Sequence, residues 1–121
     1  MGKWTGRHMS DFSELSAFTP DADFLKATKE QLEKDVGIAD FTFQEETYSD
    51  LPAMVSELQV FMEDLQQKNP AALMRVVNRI DLSESQYRKV KTMPGDFTEN
   101  LAKASVLRAF QKVVLRKKLS E

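Results

Sequence analysis

The chain has 121 residues, 17 Lys or Arg against 19 Asp or Glu, 41% hydrophobic and 30% charged residues, four Gly, four Pro and no Cys. That length supports one hydrophobic core, and the composition is too apolar for a disordered chain and too poor in Gly and Pro for a turn-rich sandwich. The missing Cys excludes disulfides, thiolate zinc sites, iron–sulfur clusters and cysteine nucleophiles, and fits a reducing, cytoplasmic location.

No apolar run approaches the roughly 20 residues of a membrane-spanning helix, and the N-terminus lacks the order of a secretory signal. The sequence Met1 to His8, followed by a second start at Met9, reads as a vector-derived leader and is set aside together with Trp4 and His8. Residues 9–20 mix Phe12, Leu15 and Phe18 with Ser, Asp and Pro, and are expected to form a flexible or docking arm. Residues 21–121 are expected to form a single helical domain.

In that domain the first helix starts at Pro20 with Asp21 or Asp23, carries Phe24, Leu25, Thr28, Leu32 and Val36 on one side, and stops at Gly37. Ala39, Phe41 and Phe43 then alternate with polar residues, a period of two. With no second strand to pair with it, residues 38–44 are expected to be a short extended segment anchored by two phenylalanines.

Ser49 or Asp50 caps the clearest helix, with Pro52 tolerated in its first turn. Leu51, Met54, Val55, Leu58, Phe61, Met62 and Leu65 make its apolar stripe. Asn69-Pro70 starts a short helix with Leu73, Val76, Val77 and Ile80 inward and Arg75 and Arg79 outward. After Asp81-Leu82, Ser83-Glu84-Ser85-Gln86 matches a capping box, and Met93-Pro94-Gly95 is a turn.

The last helix spans about 97–118. Val106, Leu107, Phe110, Val113 and Val114 form one face, while Phe97, Leu101, Leu115 and Leu119 project elsewhere. It therefore makes contacts on two sides, within the domain or with a partner. The fold class is all-α, a compact irregular bundle of about five helices.

Asn69-Pro70, Leu73, Arg79-Ile80-Asp81, Ser83-Glu84, Leu101-Ala102, Arg108, Gln111-Lys112 and Arg116 together resemble a group of small uncharacterised bacterial proteins, chiefly from Bacteroidetes. The resemblance covers about the C-terminal 50 residues. It implies a bacterial, cytoplasmic protein and no particular reaction.

Catalytic vocabulary is sparse. There is no Gly-x-Ser-x-Gly elbow, no dinucleotide or P-loop glycine spacing, and outside the leader no histidine. Asp21-Ala22-Asp23 reads as helix capping and not as a calcium loop, because the following residues lack oxygen ligands and glycine. Glu45-Glu46 and Glu63-Asp64 are adjacent pairs that do not face each other on a helix, and read as solvated surface. No cofactor and no metal are expected.

The mild total charge hides a division: residues 1–69 sum to −8 and residues 70–121 to +6. Arg108, Lys112 and Arg116 form a row at spacings of four, which either meets an acidic partner or phosphates, or neutralises the acidic half within one domain. Arg75, Arg79, Arg108, Lys112 and Arg116 are the candidate partner-binding residues. The expected function is a non-catalytic protein–protein interaction or accessory domain, self-association included. The alternative is a nucleic-acid-binding domain using the basic face of the last helix. A helix-turn-helix over 70–92 is a weaker variant of that alternative, since its turn lacks glycine and Arg75 and Arg79 lie on the first helix of the pair.

Overall fold

The computed structural model describes residues 19–119. The expected leader at 1–8, and the expected arm at 9–20 apart from Thr19 and Pro20, lie outside the described residues. The five helices are α1 (Ala22–Val36), α2 (Leu51–Lys68), α3 (Pro70–Ile80), α4 (Glu84–Thr92) and α5 (Phe97–Leu119), with a 3₁₀ turn at Gly37–Ala39. No strand occurs among the described residues, which form an all-α, irregular bundle of these five helices.

The helix starts follow local chemistry. Asp21 accepts from the Phe24 amide at 3.0 Å, Asp50 from Ala53 at 2.9 Å, and Asn69 from Ala72 at 3.2 Å, the last two directly before helices with a first-turn proline. Ser83 and Gln86 complete both arms of the capping box, with hydrogen bonds of 3.1 and 3.0 Å.

The first α-helix stops at Gly37 as expected, but not by a left-handed glycine. Gly37 is right-handed, with φ −61°, and the chain winds on through the 3₁₀ turn. The left-handed position falls to Asp40, φ 63°, whose amide donates to the Gly37 carbonyl at 2.9 Å. The extra turn satisfies an open carbonyl, and Asp tolerates left-handed backbone better than most residues with a Cβ. The extended segment accordingly begins at Phe41 and not at Ile38. Gly95 does need its freedom, with φ 105° in the turn before α5.

Helix α5 is the hub. From Leu101 to Phe110 every residue except Lys103 and Arg108 is buried, because α1, α2 and α4 all pack on it, with lesser contact from α3. A helix covered nearly all round needs small and apolar residues on every side, and Ala102, Ala104, Ser105 and Ala109 provide them. Its two-sidedness is thus a property of the domain for Leu101, which is fully buried, and for half-buried Phe97. Leu115 and Leu119 remain exposed among the described residues.

Phe41 and Phe43 serve as the expected anchors. Both are buried, their ring centroids lie 4.8 Å apart, and Phe41 also lies 4.8 Å from Phe61 of α2. No described helix is long and apolar enough to cross a membrane.

Candidate functional site

The basic row of α5 turns toward its own chain. Lys112 Nζ lies 2.9 Å from Asp35 Oδ2, and Arg116 Nη1 donates to Gln31 Oε1 at 2.6 Å. Gln31 Nε2 in turn donates to both Asp35 oxygens, at 3.1 and 3.2 Å. The result is a connected chain from Arg116 through Gln31 and Asp35 to Lys112, joining α5 to α1.

Arg108 reaches the C-terminal end of α3. Its Nε donates to the Asp81 carbonyl at 2.9 Å, and its Nη2 lies 3.6 Å from Asp81 Oδ2. Asp81 is left-handed, φ 63°, so Arg108 holds the break between α3 and α4. Arg75 and Arg79 stand apart, exposed on α3 and without an ion pair among the described residues. The five candidate basic residues are therefore three internal ties and two open side chains.

The open surface of interest is acidic. The segment after α1 has no strand to bond with, and side chains take the place of a neighbouring strand. Phe43 N–H donates to Glu33 Oε2 at 3.0 Å, Gln44 N–H to Glu57 Oε2 at 2.6 Å, and Glu45 N–H to the Tyr48 hydroxyl at 3.1 Å. The Tyr48 hydroxyl donates to Glu57 Oε1. Burial pushes the Tyr48 phenol up to about 12, and its hydrogen bond to the Glu57 carboxylate adds to the shift.

This pinned segment forms one wall of an open groove of about 530 Å³, with α2 as the other wall. Asp40, Phe41, Thr42 and Gln44 line one side, and Glu57, Val60, Phe61 and Asp64 line the other. The α2 positions fall at i, i+3, i+4 and i+7, one continuous strip. Val60 is 69% exposed, an apolar side chain open to solvent between two carboxylates.

Sequence reasoning missed this groove, although two signals were present. Val60 lies off the apolar stripe of its helix, and the span from Asp35 to Gln67 holds eight Asp or Glu with no Lys or Arg. Among the described residues, only Asp35 and Asp64 of those eight pair with a cation. Glu57 meets neutral donors only, the Gln44 amide and the Tyr48 hydroxyl. Glu63 accepts from Gln59 at 3.1 Å and from Thr98 at 3.3 Å, so its reading as solvated surface is replaced by a tie between α2 and α5.

Among the described residues, no three His, Cys, Asp or Glu side chains gather where they could hold a metal ion. A further open groove, about 330 Å³ and lined by Met74, Val77, Asn78, Asp81, Leu82, Glu84 and Tyr87, is smaller, and one of its two carboxylates, Asp81, is paired with Arg108. No family model, curated protein or solved structure matches the chain.

Proposed function

We propose that this chain is a non-catalytic helical module that binds another protein. The observation that carries the proposal is the groove between residues 40–44 and α2, where the exposed Val60 and the Phe41 and Phe61 rings are bordered by Asp40, Glu57 and Asp64. An open groove that is apolar along its floor and charged at its rim matches the core-and-rim make-up of protein interfaces. It does not enclose a small molecule on most of its surface, as ligand pockets do.

The nucleic-acid alternative loses support from the same geometry. Lys112 and Arg108 are engaged with Asp35 and Asp81, and Arg116 with Gln31, while the open acidic groove repels phosphate. The non-catalytic reading is supported by the employment of Glu57, whose two oxygens are taken up by the Gln44 amide and the Tyr48 hydroxyl. Absence of cysteine fits a reducing, cytoplasmic setting.

Two measurements test the reading. Anisotropy titrations with labelled single- and double-stranded oligonucleotides at low salt are expected to show no saturable binding. Saturable binding that weakens linearly with the logarithm of salt concentration would overturn the protein-binding reading. Affinity capture from cells carrying the natural gene, followed by reconstitution with the purified partner, is expected to give a stoichiometric complex by sedimentation.

A further inference from the structure

We infer that the groove between residues 40–44 and α2 takes a cationic amphipathic segment of the partner protein. The inference rests on the protein-binding reading above and specifies the chemistry of that partner.

Charge argues for a cationic occupant. The groove rim holds Asp40, Glu57 and Asp64, and Glu45 and Glu46 follow directly on the segment that forms one wall. The nearest basic residues in sequence are Lys34 and Lys68, and only Lys68 pairs with a rim residue, Asp64 at 2.9 Å on the surface. Such an exposed i,i+4 pair contributes little to stability and opens readily to a competing cation. A partner carrying Lys or Arg would meet complementary potential along the whole rim.

The floor argues for an amphipathic one. Val60 is 69% exposed, and the half-buried Phe61 and buried Phe41 rings lie beside it in the same groove. An apolar side chain entering between the two walls would cover Val60, while flanking Lys or Arg side chains reached the rim. Such a pattern suits a helix that presents apolar anchors at i, i+3 and i+4 with basic residues beside them.

The chain's own N-terminal stretch does not have this chemistry. Residues 9–20 contain Asp11 and Glu14 and no Lys or Arg, so the acidic rim disfavours them as occupant. Lys3, Trp4 and Arg7 precede them, and a chain cut to begin at Met9 is expected to bind the amphipathic test peptide with unchanged affinity. Tighter binding would give the groove to residues 1–8 and overturn the inference. A second copy of the chain offers exposed Arg75 and Arg79 with exposed Met74 on α3, where Asn78 and Asp81 intervene, and exposed Leu115 and Leu119 beside Arg116 and Lys118 at the end of α5, an apolar and basic surface little more than one helical turn long. A longer basic amphipathic segment covers more of the groove than that single turn, so the occupant is assigned to another protein, with dimerisation of the wild-type chain as the measurement that decides against a second copy.

The test uses the full chain and two labelled 14-residue peptides of identical Leu and Lys composition, one with leucines on a single helical face and one with scrambled order. Anisotropy at about 50 mM salt is expected to give saturable binding of the amphipathic peptide, at least fivefold weaker binding of the scrambled one, and a tenfold or greater loss in V60S/D64K. The control E30K makes the same net-charge change on the exposed side of α1 and is expected to alter affinity less than twofold. Circular dichroism of both variants establishes that they fold.

Equal losses in E30K and V60S/D64K, or equal binding of the two peptides, would show undirected charge attraction and overturn the groove assignment. Undiminished binding in V60S/D64K would place the peptide elsewhere, leaving the protein-binding reading intact while the groove assignment fails. No peptide binding together with oligonucleotide binding would overturn both. Concentration-dependent dimerisation of the wild-type chain, abolished in V60S/D64K, would give the groove to a second copy and overturn the inference.

Discussion

Glu57 is the residue on which the groove depends. It accepts hydrogen bonds from the Gln44 amide and the Tyr48 hydroxyl, and so ties the extended segment to α2. Glu57→Ala removes both acceptors at once and is expected to destabilise the fold by about 1–3 kcal/mol, read from urea unfolding. Tyr48 gives the pH signature of the same tie. Its folded pKa is raised to about 12 against an unfolded value of 10.0, so the fold favours the neutral phenol. The contribution to stability is complete below about pH 10 and is lost as pH rises through about 12. In a Tyr87→Phe background, where Tyr48 is the sole tyrosine, tyrosinate absorbance is expected to develop at higher pH in the native chain than in urea. The Asp35–Lys112 pair obeys different accounting. Asp35 is buried and the Lys112 side chain only 21% exposed, so Lys112→Met strands a carboxylate that keeps Gln31 as its remaining donor. Loss of a fully buried partner costs roughly 3–5 kcal/mol, and the exposed edge of this pair lowers the expectation to about 2 kcal/mol. Asp35→Leu combined with Lys112→Met is expected to recover most of that loss, a double-mutant cycle readable by thermal unfolding.

At the scale of elements, α5 decides whether the bundle forms. Phe110 is buried and lies 6.1 Å, centroid to centroid, from Phe24 of α1. Phe110→Ala is expected to cost about 3–5 kcal/mol by denaturant unfolding, since the site is walled by neighbouring helices and collapses poorly. The polar contacts of α5 work alongside this packing. Buried Asn100 donates to the carbonyls of Val90 and Met93, at 3.5 and 3.3 Å, closing the end of α4 against the first turn of α5. Helix limits were largely legible in the sequence because their signals are local: Asp21, Asp50, Asn69 and Ser83 each cap an amide three residues ahead. The end of α1 at Gly37 was legible too, but not the turn that follows it. A glycine near a helix end suggests a left-handed stop, yet Asp40 takes that conformation and Gly37 does not, because the 3₁₀ turn moves the reversal along the chain.

For the whole molecule, the shared hub makes the helices interdependent. Since α1, α2 and α4 pack on one another's common partner α5, melting any of them exposes the same core. Thermal unfolding followed at 222 nm and by near-ultraviolet dichroism is expected to give coincident transitions, and separate midpoints would show that α1 and the 41–50 segment open first. Charge is also a whole-molecule property. The division into a −8 half and a +6 half is real, but its meaning lies in which charges meet. Arg108 and Lys112 are matched to Asp81 and Asp35, and the surplus of acid is left around the 40–64 groove. The amino-acid sequence by itself determined the all-α class, the five helices, their caps and the buried faces, because each is encoded within one or two helical turns. Tertiary structure alone decided that the basic row ties α5 to α1 and to the end of α3, that carboxylates and a phenol replace a neighbouring strand for residues 43–45, and that Val60 opens onto an acidic groove. Those contacts join residues as far apart as Gln31 and Arg116, and no local periodicity records where a long charged side chain will find its partner.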